Sequence, residues 1–172
     1  MREPSSIRVR RATAADAVPL GKLAIELVRM HHALDPRRFL APSPETEAGY
    51  GRWLAREAQR DGAVVLAAVR DDALVGYAYA TVEGRNWNEL LDAHGKLHDV
   101  FVAEDARGNG IASLLLAAVR DALAATGCER IVLSTSVANE RAQRLFTSFG
   151  FRPSMIEMTW NDEAPARSRA MR

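Results

Sequence analysis

The stretch that best defines the fold is VAEDARGNGIA, residues 102–112, which lies between a sequence typical of a β-strand and one typical of an α-helix. Gly108 and Gly110 stand at the predicted helix entrance, although a glycine inside a helix costs about 1 kcal/mol relative to alanine. A helix N-terminus exposes unpaired backbone N–H groups with partial positive charge, and glycine lets an anion approach them closely. Together with the cation of Arg107, the stretch predicts a site for a pyrophosphate.

Two well-known phosphate-binding motifs fit this loop poorly. A P-loop requires Lys and then Ser or Thr after its last glycine, whereas Ile111 and Ala112 follow Gly110. A dinucleotide-binding loop requires a third Gly or Ala where Ser113 stands, and an acidic residue after the next strand, where residues 134–136 are Ser-Thr-Ser. An ordinary helix start with a glycine turn and no bound anion remains open at this point.

Composition excludes several classes of protein. The 172 residues carry a formal charge of only +1, so no global field recruits nucleic acid or an anionic membrane. The single cysteine excludes an internal disulfide and a cysteine-rich metal cluster, and it fits a reducing compartment. No apolar run approaches the roughly 18 to 20 residues of a membrane span, and the start MREPSSIRVR lacks the apolar core of a signal peptide. We therefore expect a cytoplasmic protein with no nucleic-acid or membrane partner.

Length and periodicity predict one domain over residues 1–160 and a flexible tail over residues 161–172. Strands are predicted at 7–10, 63–69, 74–82, 97–102, 131–136 and within 151–160, and helices at 18–34, 44–59, 111–125 and 139–148. This order predicts an α/β protein with a mixed sheet and helices on both faces.

Residues 97–160 resemble the GNAT acetyltransferase superfamily. Arg107-x-x-Gly110-x-Ala112 is similar to the Arg/Gln-x-x-Gly-x-Gly/Ala acyl-CoA loop of that superfamily. The preceding strand at 99–102 and the order of upstream elements also match. Two further motifs follow in the family's order: the Asn-x-x-Ala helix start at 139–142 and the closing Gly-Phe at 150–151.

The resemblance implies an α/β (α+β) fold with a mostly antiparallel central sheet, splayed between the strands at 97–102 and 131–136. It also implies acetyl-CoA as co-substrate, with the thioester in the gap. Backbone amides of the loop would hold the pyrophosphate, and the preceding strand would pair with the pantetheine arm. Asn139 would hydrogen-bond the pantetheine, in addition to or instead of capping its helix. The implied coenzyme residues are Val100, Phe101, Val102, Arg107, Gly108, Asn109, Gly110, Ile111, Ala112, Asn139 and Phe146.

Phe146 departs from the family pattern, because many members carry a tyrosine there whose hydroxyl protonates the departing thiolate. Phe146 still suits packing beside the acyl-CoA sulfur, but it supplies no proton. Ser136 or a water remains open as the donor, and so does unassisted departure of a thiol with a pKa of about 8.5.

Transfer to an amine requires a neutral nucleophile, and delivering a lysine-like amine uncharged at neutral pH costs on the order of 4 to 5 kcal/mol. His98 and Asp99 begin the strand that leads to the loop, and both are candidates for the base, with His98 slightly favoured. Because successive strand residues face opposite sides, we expect at most one of them to face the cleft. The alternative is a half-exposed strand histidine beside an aspartate that forms a surface ion pair.

We therefore expect an acetyl-CoA-dependent N-acetyltransferase whose bound amine, on a small molecule or a peptide, attacks the thioester directly in a ternary complex. A non-catalytic acyl-CoA-binding or regulatory module on the same fold is the alternative, and exposed sheet edges favour a homodimer. No metal is expected, because adjacent helical residues such as His31 and His32 point about 100° apart. Candidates for acceptor recognition are His31, His32, Arg37, Arg38, Phe39, Tyr50, Trp53, Glu83, Trp87 and Glu89.

Overall fold

The computed structural model describes residues 6–161, and five strands form one sheet in the order β1-β2-β3-β4-β5. The strands are β1 Arg8–Arg11, β2 Ala63–Arg70, β3 Ala73–Glu83, β4 His94–Val102 and β5 Ile131–Leu133. The first four strands pair antiparallel, whereas β5 pairs parallel to β4. The predicted mixed, mostly antiparallel sheet is therefore confirmed.

Helices cover both faces of this sheet, as predicted. They are α1 Ala17–Leu34, α2 Pro44–Glu57, α3 Ile111–Ala124 and α4 Glu140–Ser148, with short 3-10 turns at 14–16 and 104–106. Leu20 of α1 and Leu54 of α2 are buried against Tyr77 on one face, and Leu115 of α3 is buried against Leu97 on the other. Among residues 6–161, no helix has the length and apolar character needed to cross a membrane.

Two glycines let α1 and α2 cross with their backbones in contact. A Cβ atom on Gly51 would lie 2.1 Å from the carbonyl oxygen of Ala17 and 2.9 Å from the Cα atom of Gly21. Pro44 begins α2, and the hydroxyl of Ser43 accepts a hydrogen bond from the backbone N–H of Thr46 at 3.1 Å. The crossing holds α2 close to the sheet, where its aromatic side chains enter the candidate site.

The strand boundaries differ from the predicted ones where pairing overrides the local pattern. β4 begins at His94, three residues early, because it pairs along the long β3. The turn before β3 consists of Asp71 and Asp72, which have positive φ values of 49° and 63° as in a tight hairpin. The predicted strand at 131–136 ends at Leu133, where its pairing with β4 stops.

The prediction of strands within residues 151–160 is wrong, because this segment has no regular secondary structure. Its apolar side chains Met155, Ile156, Met158 and Trp160 are all more than 80 % exposed. Alternating apolar residues form a strand only when a neighbouring backbone is available for pairing, and here the segment pairs with none of the described strands. The predicted tail lies outside the described residues except for Asn161.

A buried ion pair connects β1 to the start of α1. The carboxylate of Asp16 accepts hydrogen bonds from the Arg10 guanidinium at 2.8 and 2.9 Å and from the backbone N–H of Thr13 at 2.7 Å. The Arg10 guanidinium and the Thr13 donors lower the pKa of Asp16 to about 2, although burial opposes them.

Replacement of this carboxylate by Asp16→Asn should reduce the free energy of unfolding by about 2 kcal/mol at pH 7, because the pKa of Asp16 falls from 3.8 to about 2 on folding. A lowered pKa stabilises the fold above the unfolded-state value and loses that effect as the pH falls toward 2. The difference between the wild type and the variant, measured by urea unfolding, should therefore be smaller at pH 3 than at pH 7. Glu26→Gln, which removes an exposed ion pair with Arg29, is the control and should change little. An Asp16→Asn effect independent of pH would contradict the assignment.

Candidate functional site

Strand β4 loses one of its two neighbours halfway along its length. Residues Gly95 to Leu97 pair with both β3 and β5, but beyond Leu97 the pairing continues only with β3. Within residues 6–161, no strand pairs with the edge of β4 that faces β5 from His98 to Val102. The pairing of β4 with β5 therefore ends where the splay is predicted.

A β-bulge lies at the same place in β4. Asp99 is opposite Tyr79 and Leu97 is opposite Ala80, so that His98 has no partner residue on β3. The extra residue interrupts the alternation of side chains and directs His98 and Asp99 to the same face, toward α1 and α2. The expectation that only one of these two side chains faces the site is therefore wrong.

The Asp99 carboxylate is held by two tyrosine hydroxyls. Its Oδ2 atom accepts a hydrogen bond from Tyr50 on α2 at 2.5 Å and another from Tyr77 on β3 at 3.1 Å. Burial raises the pKa of Asp99, while the two hydroxyls act in the opposite direction. Burial and the nearby carboxylate also raise the pKa values of Tyr50 and Tyr77. Asp99 is thus a partly buried carboxyl group bound by hydroxyls, and within residues 6–161 it does not form the surface ion pair of the alternative.

His98 lies beside this cluster with part of its ring open to solvent. Its side chain is 30 % exposed, and its ring stacks on Tyr79 with a centroid distance of 4.7 Å and an interplanar angle of 20°. Its Nε2 atom lies 2.8 Å from the hydroxyl of Thr81. Burial lowers the pKa of His98, and the nearby charge of Lys96 lowers it further. The lowered pKa favours the neutral imidazole, which can accept a proton.

Tyr79 connects His98 to the end of α2. Its hydroxyl donates to Glu57 at 2.8 Å, and burial together with this hydrogen bond raises the pKa of Tyr79 to about 12. Trp53 also packs edge-on against the Tyr79 ring, with a centroid distance of 5.0 Å.

Removal of the Tyr50 hydroxyl by Tyr50→Phe should lower the free energy of unfolding by on the order of 1 to 3 kcal/mol, because the buried Asp99 carboxylate loses a donor. Asp99→Asn removes the negative charge to which this hydroxyl donates. Tyr50→Phe should therefore lower the free energy of unfolding by less in that background. A double-mutant cycle by urea unfolding measures the coupling between the two side chains. Equal losses in both backgrounds would show that the hydrogen bond does not stabilise the fold.

The glycine loop presents a series of free backbone donors at the start of α3. Gly108 and Gly110 have positive φ values of 82° and 73°, which side chains rarely adopt, and a Cβ atom at either position would contact nothing within 4 Å. Within residues 6–161, the backbone N–H groups from Gly108 to Ser113 donate to no acceptor, and no side chain caps the helix. The side chain of Asn109 donates to the carbonyl groups of Ala106 and Arg107 and so stabilises the turn.

Arg107 differs from the other loop residues that are predicted from the sequence to hold the pyrophosphate. Its backbone N–H donates to the carbonyl of Glu104 at 3.3 Å, so the free amides begin at Gly108 rather than at Arg107. Its Nε atom donates to the carbonyl of Val102 at 3.0 Å, and its guanidinium lies 5.5 Å from the centroid of the Phe101 ring. The charge is thus held at the end of β4, next to the loop.

Asn139 and Phe146 both lie on or beside α4, as predicted. The Oδ1 atom of Asn139 accepts from the backbone N–H of Ala142 at 3.1 Å and caps the helix. Phe146 is 7 % exposed and packs at 5.9 Å against Phe151 in the core on the α3 side of the sheet. Its position relative to an acyl-CoA sulfur stays a prediction.

The structure separates the other candidates for acceptor recognition. Tyr50, Trp53 and Glu83 lie near His98 and Asp99, whereas Trp87 is 74 % exposed beside Arg85. The imidazole of His31 bonds to the backbone carbonyl of residue 27, whereas that of His32 bonds to the carbonyl of residue 39. No group of three or more His, Cys, Asp and Glu side chains within residues 6–161 has a metal-binding arrangement.

The contributions of Tyr77, Tyr79 and Thr81 to the site were not predicted from the sequence. These three residues alternate along β3 and therefore share one face of the sheet, which is the signal that could have placed them together. Their hydroxyl groups lie within an apolar run that predicts only a buried strand, because a fully buried strand and a strand lining a site have similar sequences.

Comparisons with known proteins agree with this geometry. Residues 27–151 match the model of the acetyltransferase (GNAT) family. A phosphinothricin N-acetyltransferase of Streptomyces coelicolor is 47 % identical over 53 residues, which are 31 % of this chain and 31 % of that protein. The match therefore spans about a third of that relative.

Solved structures share the fold at lower sequence identity. The aminoglycoside N-acetyltransferase AAC(6')-Iy, solved in complex with CoA, has a TM-score of 0.71 and 20 % identity, with 95 % of this chain and 99 % of that chain covered. A tetramutant of the BH1408 protein from Bacillus halodurans has a TM-score of 0.76 and 21 % identity, with 90 % and 99 % covered.

The fold is the one found in solved acetyltransferase structures. The chain belongs to the GNAT acetyltransferase family.

Proposed function

We propose that this protein is an acetyl-CoA-dependent N-acetyltransferase whose bound primary amine attacks the thioester directly in a ternary complex. The observation that carries the proposal is the unpaired edge of β4, which leads into free backbone donors at the start of α3. A main-chain edge can pair with the amide groups of a pantetheine arm, and a helix N-terminus attracts a pyrophosphate. Both features lie in one continuous segment, as a long ligand such as acetyl-CoA requires.

Each part of this segment has a distinct role. The main chain of the segment from Val100 through Phe101 to Val102 pairs with the pantetheine arm through the groups that β3 and Arg107 leave free. The amides from Gly108 to Ala112 hold the pyrophosphate, and the Arg107 guanidinium adds positive charge beside them. Asn139 contributes from the start of α4, and Phe146 supplies an apolar wall.

His98 is the proposed general base. An amine with a pKa of about 10.4 is charged at neutral pH, and removing its proton costs on the order of 4 to 5 kcal/mol unless a base accepts it. The depressed pKa keeps His98 neutral, and its partly exposed ring is accessible to an acceptor or a water. Asp99 is the second candidate, but its Oδ2 atom already accepts two tyrosine hydroxyls. We assign no general acid.

The coenzyme site is tested by thermal unfolding in the presence of acetyl-CoA, coenzyme A and NAD. Either CoA species at one hundred times its dissociation constant should add about 2.7 kcal/mol, or on the order of 5 to 10 °C for a domain of this size. NAD should cause no shift. A shift with NAD alone would contradict the assignment.

A matched pair of variants tests the glycine loop directly. Asn and Asp both tolerate the positive φ of Gly110 and are nearly isosteric, so Gly110→Asn and Gly110→Asp differ mainly in charge. Because the proposed ligand is an anion, Gly110→Asp should weaken coenzyme A binding at least about tenfold more than Gly110→Asn, consistent with roughly 1.4 kcal/mol of repulsion. Calorimetric titration measures both affinities. Equal affinities would place the pyrophosphate elsewhere.

The base is tested by the pH dependence of kcat/KM. Protonation of His98 should reduce kcat/KM as the pH falls below its depressed pKa, once the ionisation of the amine has been taken into account. His98→Gln should lower kcat/KM by roughly 100-fold or more near neutrality and recover activity at high pH, where the amine loses its proton unaided. Affinity for coenzyme A should stay unchanged. An unaltered pH profile would exclude His98 and direct attention to Asp99→Asn.

A non-catalytic acyl-CoA-binding module is the second candidate, favoured by the absence of a hydroxyl on Phe146. Turnover with a panel of amines separates the two functions. The names of the similar proteins suggest two members of the panel, phosphinothricin and an aminoglycoside, and a peptide with a free N-terminus completes it. We propose a small-molecule or peptide amine as the acceptor, while a homodimer remains a prediction from the exposed sheet edges.

A further inference from the structure

Three polar side chains form a continuous hydrogen-bonded row on the face of the sheet that carries His98. The hydroxyl of Thr81 lies 2.5 Å from the Oε1 atom of Glu83 and 2.8 Å from the Nε2 atom of His98. Thr81 is only 1 % exposed, whereas Glu83 stands at the open end of β3. The Oε1 atom of Glu83 lies 4.0 Å from His98 Nε2, so the threonine hydroxyl mediates the contact between them.

The donors and acceptors in this row have one consistent order. A carboxylate only accepts hydrogen bonds, so the single hydroxyl hydrogen of Thr81 points to Glu83. The Thr81 oxygen must then accept its second hydrogen bond from His98, which places a proton on Nε2. A neutral imidazole carries one proton, so the free lone pair is on Nδ1.

The other features of the ring agree with this assignment. Within residues 6–161, Nδ1 of His98 has no hydrogen-bond partner. Stacking on Tyr79 fixes the plane of the ring, so the direction of Nδ1 is set by contacts that do not involve that atom.

We propose that Thr81 and Glu83 are positioning residues that hold His98 in its Nε2–H tautomer and leave Nδ1 as the atom that receives the proton of the acceptor amine. The inference rests on the proposed function. In the reaction the ammonium proton of the acceptor passes to Nδ1, directly or through a water, while Nε2–H stays bonded to Thr81. The neutral amine nitrogen then bonds to the thioester carbonyl carbon and the C–S bond breaks. The second proton that the nitrogen loses on becoming an amide passes through water to the departing thiolate, which leaves as the thiol.

The charges around His98 set the direction of the expected pH effects. The carboxylates of Glu83 and Glu57 favour the imidazolium form, whereas burial and the cations of Lys96 and Arg60 disfavour it. Removing the charge of Glu83 should therefore lower the pKa of His98, and removing that of Lys96 should raise it.

The tautomer is measured without turnover by long-range ¹H–¹⁵N correlation spectra of the full chain labelled at histidine nitrogens, with the His98→Gln variant to assign the signals. The wild type should carry its proton on Nε2. Thr81→Val, which keeps the shape and removes the hydroxyl, should yield a mixture of tautomers, and Thr81→Ser should restore the wild-type spectrum. In Glu83→Gln the amide can donate to Thr81, which frees the threonine hydrogen for Nε2 and favours the Nδ1–H form.

Kinetics test the consequence for proton transfer. Thr81→Val should lower kcat/KM by about 10-fold, less than the roughly 100-fold or more expected on loss of the base, with unchanged coenzyme A affinity. Thr81→Ser should recover the rate. The acidic limb of the pH profile should move to lower pH in Glu83→Gln and to higher pH in Lys96→Gln. Asp92→Asn, in the exposed loop before β4, is the control and should leave the profile in place.

The outcomes distinguish the proposed positioning of His98 by Thr81 and Glu83 from the proposed function. A wild-type Nδ1–H tautomer, or a Thr81→Val variant with the wild-type spectrum and rate, would overturn the positioning role whether or not the enzyme is active. Coenzyme A binding without turnover of any amine would overturn the proposed function and the proton transfer together, even if the spectra show the Nε2–H tautomer.

Discussion

One extra residue in β4 is the constraint on which the site depends. The bulge at His98 interrupts the alternation of the strand, so two consecutive polar side chains face α1 and α2. A bulge also increases the local twist of a strand, and β5 ceases to pair with β4 immediately before this residue. The proposed base, the buried carboxyl and the open strand edge therefore share one local distortion of the backbone.

The polar groups around the bulge are stabilised on one face of the sheet, by a tyrosine of β3 and a tyrosine of α2. Tyr77 is fully buried, yet its hydroxyl has a partner in Asp99, and Tyr50 reaches the same carboxylate from α2. A buried charge without donors would be unfavourable, and the two hydroxyls offset part of that cost. Tyr50 can reach Asp99 because α2 lies close to the sheet, where it crosses α1 at Gly21 and Gly51. The geometry near the chemistry thus depends on two glycines that carry no side chain.

Much of the fold could be predicted from the sequence, because strong local signals coincide with its elements. The glycines at 108 and 110, the helix start at Asn139 and the hairpin turn at 71–72 all have conformational requirements that few residues meet. Boundaries that depend on a neighbouring strand were harder to predict. β5 is shorter than its apolar pattern, and residues 151–160 alternate like a strand without pairing as one. The bulge was also missed, because the two consecutive polar residues His98 and Asp99 do not by themselves distinguish a bulge from a regular strand until the register with β3 is known.

The packing of Trp53 gives the site an optical reporter of its own. This indole contacts the ring of Tyr79, which also stacks on the imidazole of His98. The other two indoles, Trp87 and Trp160, are 74 % and 86 % exposed, so a soluble quencher reaches both. We therefore expect the fluorescence that survives quenching to come chiefly from Trp53 and to respond to changes at the proposed base without any added label.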